Sequence, residues 1–144
     1  MECELPRVNA NRDEMKKYFE ETKTIAVLGC SPKPDKASNR VAKYLLEAGY
    51  KMIPVYPKEE EILGQKVYRS LAEIDQPVDM VVVFRKPAAL NAIADAVIAR
   101  GDVKVYWTQL QLINNEAAQK VKDAGIGVVQ NYCAMVEHRA IFKP

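Results

Sequence analysis

The chain has 144 residues, of which 49% are hydrophobic and 28% charged. These values are typical of a globular domain and argue against a disordered or membrane-embedded protein. The formal net charge of +2 does not favour nucleic acid as a partner, because proteins that bind nucleic acid usually gather a strong basic patch. We predict one domain over residues 1–144, with residues 1–22 as a helical extension packed on it.

The sequence shows no membrane or export signal. Its longest apolar runs, such as residues 78–84, are interrupted by Asp79 and are too short to span a bilayer. The N-terminus lacks the basic start and apolar core of a signal peptide. Cys3, Cys30 and Cys133 have no paired short spacing, which argues against a zinc site or a disulfide framework. We therefore expect a cytoplasmic protein with free thiols and no metal.

Strand and helix signals alternate along the chain. Apolar residues at helical spacing predict a helix over residues 12–21, and a β-forming run over residues 24–28 predicts a strand that ends at Gly29. We expect Ser38 to cap the next helix, which Gly49 closes. Further strands are expected over residues 51–55, 80–84, 103–107 and 126–129. Ser70 and Glu73 have the spacing of a capping box for a short helix, Pro87 opens a helix that runs to about residue 100, and Asn114 or Asn115 caps a helix that runs to about residue 124. Residues 131–144 give no clear signal.

This alternation predicts the fold class. Strands that alternate with helices form βαβ units, which build a parallel sheet. We therefore expect an α/β fold, a Rossmann-like, doubly wound, mostly parallel sheet of about five strands in three α/β/α layers. Ligands of such sheets bind beyond the carboxyl ends of the strands, where the strand order reverses. The loops after Leu28 and Val83 should flank that crevice.

The loop after the first strand is a candidate phosphate site. The first amides of the following helix lie at its positive end and attract anions. Nearby side chains add hydroxyl groups and positive charge; they are Ser31, Ser38, Lys33, Lys36 and Arg40. The alternative is a solvated basic loop with an ordinary serine cap, and the loop alone does not decide between the two.

The common nucleotide motifs are absent. Counted from Gly29, the dinucleotide fingerprint requires two more glycines, but Ser31 and Pro34 stand there. The second strand ends in Pro54-Val55-Tyr56-Pro57 without the acid that holds a ribose. A Walker A motif is also missing. These departures disfavour the usual NAD and ATP modes.

Several motifs in one order carry a family resemblance over residues 23–141. They are Gly29-Cys30-Ser31-Pro32-Lys33-Pro34, Ser38 with Arg40-Val41-Ala42, Pro54-Val55-Tyr56-Pro57, Gly64-Gln65-Lys66-Val67-Tyr68, Val83-Phe84-Arg85-Lys86-Pro87, Trp107-Thr108-Gln109-Leu110, and Cys133 with Glu137-His138. The chain resembles the single-domain coenzyme A-binding proteins of bacteria and archaea (the YccU-like CoA-binding family). It is more distantly similar to the CoA-binding domain of the succinyl-CoA synthetase α subunit.

The resemblance implies a Rossmann-like fold with CoA or acyl-CoA as the ligand. It implies that Gly29, Cys30, Ser31 and Ser38 meet the pyrophosphate and that Lys33, Lys36 and Arg40 face phosphate charge. It also implies that Pro54, Val55 and Tyr56 line the adenine and ribose, with Val83, Phe84, Arg85 and Pro87 on the other side. Two departures stand out: Lys36-Ala37 replaces the usual Arg-Pro, and Tyr56 replaces the usual Asn.

We find no catalytic residues in the sequence. No pair of carboxylates is placed for acid–base chemistry, and the single histidine, His138, has no nucleophile spaced for a triad; we expect it to pair with Glu137 or a backbone carbonyl. Cys133 could reach the open end of the crevice and exchange with the CoA thiol, although a passive buried cysteine is the alternative. Cys30 is interpreted as a small residue at a tight turn; the alternative is a thiol activated by the helix start and nearby lysines, which could form a mixed disulfide with CoA.

Three functions stay open. The first is a non-catalytic CoA-binding module, with a homo-oligomer as a possible assembly and neither nucleic acid nor membrane as a partner. The second is an accessory subunit of a CoA-ligase-type enzyme that a partner subunit completes. The third, disfavoured by the missing glycines and acid, is an NAD(P)-binding redox sensor or oxidoreductase.

Overall fold

The computed structural model describes residues 5–143, so Cys3 and the start of the expected extension lie outside the described residues. The strands are β1 Thr24–Leu28, β2 Lys51–Val55, β3 Glu61–Ile62, β4 Gln65–Lys66, β5 Met80–Val83, β6 Val105–Thr108 and β7 Gly127–Val129. Five of them form a parallel main sheet in the order β2-β1-β5-β6-β7, and β3 and β4 form a short antiparallel hairpin. The helices are α1 Arg12–Glu21, α2 Ala37–Glu47, α3 Leu90–Arg100, α4 Asn115–Asp123 and α5 Ala134–Phe142.

Helices cover both faces of the sheet and produce two cores. Alternate strand residues point to opposite faces, so Ala26 and Leu28 join one core while Ile25 and Val27 join the other. The first core holds the buried faces of α3 and α4. The second holds those of α1, α2 and α5. The predicted fold class, a doubly wound parallel sheet in three layers, is therefore confirmed.

The strand order reverses between β1 and β5. From β1 the chain moves outward to β2, then returns to the other side of β1 and continues through β5, β6 and β7. Leu28 pairs with Val83 at the carboxyl ends of β1 and β5. The loops that follow these two residues therefore flank the switch point, as the sequence predicted.

Two predicted caps are wrong. Helix α2 begins at Ala37, with Lys36 at the N-cap position and no side-chain cap, so Ser38 lies inside the first turn. Ser70 precedes only a single 3-10 turn, Leu71–Glu73, and makes no capping hydrogen bond. By contrast, Asn114 caps α4 by accepting a hydrogen bond from the amide of Ala117, 3.0 Å away.

The segment before α1 is hydrogen-bonded to Gln130, the residue that follows β7. Gln130 is fully buried, and its Nε2 donates to the carbonyl of Val8 at 3.0 Å. Asn9 closes the contact, because its Nδ2 donates to the Gln130 carbonyl and its Oδ1 accepts from the Gln130 amide, both at 2.9 Å. Over residues 5–143, no helix has the length and apolar character needed to cross a bilayer.

Candidate functional site

The loop between β1 and α2 is held in shape by its own serines. Ser38 Oγ accepts a hydrogen bond from the Ser31 amide at 2.9 Å, and Ser31 Oγ accepts from the Lys33 amide at 3.1 Å. Asn39 Nδ2 donates to the Ser31 carbonyl at 2.8 Å. Ser38 and Asn39 are both buried. The Ser38 hydroxyl thus organises the loop instead of capping the helix.

The start of α2 combines free amides with positive charge. The amides of Ala37 and Ser38 open the helix, where geometry provides no intrahelical acceptor for them. The side chains of Lys33, Lys36 and Arg40 surround this turn and are exposed. Arg40 Nη1 donates to the backbone carbonyl of Asp35 at 2.6 Å. The turn therefore presents unpaired donors within a basic environment, although the carboxylate of exposed Asp35 offsets part of the charge.

Gly29 brings the two crevice loops into contact. Its amide donates to the Val55 carbonyl at 2.9 Å, and the neighbouring Phe84 amide donates to the Leu28 carbonyl at 2.8 Å. Gly29 has φ +83°, and a Cβ atom placed there would lie 2.1 Å from the Phe84 carbonyl oxygen. Only glycine fits this position without moving the backbone, so the close approach at the switch point depends on it.

Three cavities share Arg85 at this edge of the sheet, and Phe84 lines two of them. The central cavity, about 710 Å³, is lined by Gly29, Tyr56, Pro57, Phe84, Arg85, Lys86, Ala88 and Ala89. The α3 cavity, about 280 Å³, is lined by Leu28, Val55, Arg69, Ser70, Leu71, Arg85, Ala89, Ala92, Ile93 and Ala96. The Cys133 cavity, about 370 Å³, is lined by Ala37, Val41, Phe84, Arg85, Gln109, Leu110, Leu112 and Cys133. Arg85 lines all three, which makes them parts of one crevice.

The Cys133 cavity has apolar walls and one buried donor. Gln109 is only 5% exposed, yet its Nε2 has no hydrogen-bond partner among the described residues. Cys133 is partly buried at the N-cap position of α5, where it makes no side-chain capping bond. A buried amide donor without an acceptor is costly to a fold, which marks this cavity as a place where a ligand acceptor would be stabilising.

Some predicted site residues have no side-chain access to the crevice. The side chains of Pro54 and Val83 are buried within their strands and line none of the three cavities. Cys30 is fully buried, and burial raises the pKa of its thiol to about 12. Pro87 is exposed at the start of a 3-10 turn, Pro87–Ala89, beside the cavities without lining them. Contacts from Cys30, Pro54 and Val83 to a ligand therefore depend on the backbone, whereas the exposed Pro87 would have to meet a ligand outside the three cavities.

His138 lies away from the crevice, in an aromatic cluster. Its Nδ1 is 2.8 Å from the hydroxyl of Tyr44, and its ring packs on Phe19. Glu137 instead binds Arg12, with 2.9 Å between Oε1 and Nε. The predicted pairing of His138 with Glu137 or a carbonyl is thus wrong. Burial, and secondarily the charge of Lys143, lower the pKa of His138.

Sequence reasoning missed several crevice residues. Gln109 belongs to a motif quoted for the family resemblance, but no role followed from the motif. Arg69 holds the segment after β2, because its Nη1 donates to the carbonyls of Tyr56 at 3.1 Å and Lys58 at 2.8 Å. Lys86 adds a further cation to the central cavity. The position of Lys86 after Arg85 was the one available signal, since consecutive cations after a buried strand favour an anion site.

A larger depression lies at the opposite edge of the sheet. It measures about 960 Å³ and includes Tyr18, Lys104 and Gly127, where β6 and β7 begin. Ligands of open α/β sheets bind at the carboxyl ends of the strands. Among the described residues, no group of three or more metal-ligating side chains gathers to suggest a metal centre there or elsewhere. We therefore assign the candidate site to the crevice around Phe84 and Arg85.

Comparison with known proteins places the crevice within one matched region. A family model described as a CoA binding domain matches residues 23–139. The uncharacterized protein YneT of Bacillus subtilis is 41% identical over 130 residues, which cover 90% of this chain and 96% of that protein. A hypothetical protein from Pyrococcus horikoshii has a solved structure with a TM-score of 0.88 and 38% identity, covering 98% of this chain and 99% of that one.

A partial match connects the chain to a much larger enzyme. The ADP-forming acetate–CoA ligase of Methanocaldococcus jannaschii is 32% identical over 72 residues. The match covers 50% of this chain but only 10% of the ligase. The chain is thus related to one small part of that enzyme.

Proposed function

The chain belongs to the CoA binding domain family, and we propose that it binds coenzyme A or acyl-CoA in the crevice around Phe84 and Arg85. The observation that carries this proposal is the family match over residues 23–139, which contains every residue that lines the three cavities. The ligand carries a pyrophosphate, an adenosine with a 3′-phosphate and a long pantetheine arm. The crevice offers a matching environment for each of these parts.

The pyrophosphate meets the start of α2. The free amides of Ala37 and Ser38 point out of the helix end, where anions are favoured. Ser38 Oγ accepts a hydrogen bond from the Ser31 amide, which leaves its own proton available to a phosphate oxygen, so the recognition rests on this hydroxyl, the backbone amides and the exposed cations. Lys33, Lys36 and Arg40 supply those cations from the loop and the first turn. Gly29 allows the phosphates to approach the backbone closely.

The adenosine end lies on the β2 side of the crevice. Val55 contributes to the apolar wall of the α3 cavity, and Tyr56 lines the central cavity next to it. Arg85 and Lys86 are exposed at the rim of the central cavity, where they face the additional charge of the 3′-phosphate. Arg69 keeps Tyr56 in place through its hydrogen bond to the backbone. This arrangement distinguishes CoA from nucleotides without a 3′-phosphate.

The crevice supplies binding groups and no evident catalytic group. Cys30 is fully buried, and burial raises the pKa of its thiol to about 12, so it is a poor nucleophile. His138 lies in its aromatic cluster, not among the cavity-lining residues. We therefore propose a binding module that presents or stores CoA without chemical conversion of the acyl group.

Isothermal titration under reducing conditions tests this proposal. We expect CoA to bind with a micromolar dissociation constant and dephospho-CoA, which lacks the 3′-phosphate, to bind at least about tenfold more weakly, as for the loss of a charge-assisted hydrogen bond. NAD and ATP serve as comparison ligands and should bind weakly. Equal or stronger binding of NAD or ATP would show that the crevice serves another nucleotide.

A double variant tests the α2 part of the site. Replacing Lys36 and Ser38 with Ala removes one cation and the acceptor that shapes the loop. We expect the CoA dissociation constant to rise at least about tenfold, given 1.5–3 kcal/mol for one charge-assisted bond. Lys43→Ala, on exposed surface of the same helix away from its start, is the matched control and should bind normally. Unchanged affinity in a folded double variant would show that the phosphates of CoA do not bind at the start of α2.

An accessory role in a ligase is the second candidate function. It is favoured by the partial match to the Methanocaldococcus acetate–CoA ligase, of which this chain resembles 10%. A CoA-binding part of such an enzyme would need a partner chain for the remaining steps. The purified chain, assayed for ATP formation from acetyl-CoA, ADP and phosphate, should be inactive alone. Activity that appears only with a copurifying subunit would favour this alternative over a free-standing module.

A further inference from the structure

The Cys133 cavity joins a thiol and a buried amide donor in one apolar space. Cys133 and Gln109 both line it, together with apolar groups from α2, Phe84 and the loop after β6. Gln109 is 5% exposed, and its Nε2 lacks a partner among the residues described. The volume of about 370 Å³ lies within the range of about 300–1,000 Å³ found for ligand pockets. These observations point to a ligand that places a hydrogen-bond acceptor in an apolar space.

The cavity also continues the proposed phosphate site. Ala37, whose amide opens α2, lines it, and Phe84 and Arg85 separate it from the central cavity. A ligand with phosphates at α2 therefore has its uncharged arm directed along this cavity toward Cys133. The pantetheine arm of CoA has amide carbonyls along its length and ends in a thiol. Gln109 Nε2 fits as the donor to one of those carbonyls.

We propose, on the basis of the CoA-binding function proposed above, that Cys133 is a site of reversible modification by CoA through thiol–disulfide exchange. The Cys133 thiolate attacks one sulfur of CoA disulfide and forms a Cys133–CoA mixed disulfide. The other CoA leaves as a thiolate and takes up a proton. The oxidising equivalent comes from the disulfide itself, so no further oxidant is needed. Gln109 positions the arm, and the product caps both thiols against irreversible oxidation.

The other described cysteine cannot take this role. Cys30 is fully buried, and its thiol has a pKa raised by burial to about 12, which leaves almost no thiolate near neutral pH. Cys133 is partly exposed and lines a cavity. Disulfide exchange requires access for the attacking sulfur. Among the residues described, the geometry therefore singles out Cys133.

Mass spectrometry of the intact chain and of its peptides tests the proposal. The reduced protein is mixed with CoA disulfide or, separately, with glutathione disulfide, and adduct formation is followed over time. We expect one CoA adduct on the Cys133 peptide, formed at least about tenfold faster than the glutathione adduct, and no such adduct in Cys133→Ser. Labelling of the Cys3 peptide is followed in the same digests. Labelling mainly on Cys3, or equal rates with both disulfides, would overturn the proposal.

A second variant separates positioning from simple access. Gln109→Leu keeps the volume but removes the donor, so the CoA disulfide reaction should slow about 3- to 10-fold, the range for one neutral hydrogen bond. The reaction of Cys133 with the small reagent hydroxyethyl disulfide should keep its rate. Equal slowing with both reagents would show that Gln109 affects only the structure around Cys133, and it would overturn the proposal that Gln109 positions the CoA arm.

The proposed function and this inference can fail separately. Titration with CoA under reducing conditions measures non-covalent binding and does not involve the disulfide. CoA binding without labelling of Cys133 would overturn the exchange and leave the binding function intact. Absence of CoA binding would overturn the binding function, and with it any preference for CoA disulfide.

Discussion

Replacing Gly29 with Ala is expected to destabilise the fold through the contact between the two crevice loops. A residue with a Cβ costs roughly 1–2 kcal/mol in the left-handed region, and Gly29 has φ +83°. The new Cβ would also lie 2.1 Å from the Phe84 carbonyl oxygen, so the loops must separate. Separation weakens the hydrogen bond from the Phe84 amide to the Leu28 carbonyl, 2.8 Å long and worth about 0.5–1.5 kcal/mol.

Gly64→Ala is the matched control for this prediction. Gly64 has φ +75°, but a Cβ there would meet nothing within 4 Å. Both variants carry the same backbone cost and the same loss of freedom in the unfolded chain. Gly29→Ala should therefore be the less stable of the two by about 1–3 kcal/mol, the usual cost of overpacking, which urea unfolding resolves as a difference in midpoint of roughly 1 M. Midpoints that agree within about 0.3 M would refute the steric argument.

Two further predictions concern the helices and the N-terminal segment. Burial, and secondarily the charge of Lys143, lower the pKa of His138, so His138 binds a proton more readily in the unfolded chain than in the folded one. The free energy of unfolding should therefore fall as the pH drops below about 6.5. Urea midpoints at pH 7.5 and 5.5 should differ less in His138→Gln than in the unaltered chain, and an equal difference would exclude His138 as the cause. Gln130→Leu should lower the free energy of unfolding by about 2–4 kcal/mol. Gln130 Nε2 lies 3.0 Å from the Val8 carbonyl and its Oε1 lies 2.9 Å from the Asn114 amide, and the variant leaves both of these backbone groups without that partner. A thermal midpoint equal to that of the unaltered chain would contradict this reasoning.

The sequence was sufficient for elements whose hydrophobic pattern is simple. The strand Met80–Val83 is a continuous apolar run and the helix Arg12–Glu21 has apolar residues at helical spacing, so both were predicted within one residue. The pattern failed for α5, because its buried residues include Glu137 and His138. Their burial is explained by contacts with Arg12 and Tyr44, distant in sequence. Tertiary partners of this kind leave no periodic signal.

The sequence predicted where the candidate crevice lies more accurately than it predicted which hydrogen bonds its residues make. Strand order alone brought Gly29 and Arg85 to one crevice, because switch points follow from topology. The predicted capping role of Ser38 was wrong, because a serine near a helix start can cap the helix or accept from another amide, and only the folded loop shows that it accepts from Ser31. Gln109 escaped notice because an unpaired donor is a property of the packed cavity, not of the residue type.

Under the proposed function, each region of the crevice meets a different part of CoA. At the start of α2, the Ser38 hydroxyl accepts a hydrogen bond from the Ser31 amide and keeps its own proton available for a phosphate oxygen, beside the backbone amides and the exposed cations. Any nucleotide phosphate would find the same groups there, so selectivity for CoA would come from the cavities beside Phe84 and Arg85. Arg85 lines both cavities, but Lys86 adds a further cation to the central cavity, whereas the Cys133 cavity adds apolar walls and Gln109 Nε2, which is unpaired among the described residues. A ligand with an anionic end, an uncharged amide-bearing arm and a thiol would satisfy both sides at once, and a plain nucleotide only the first.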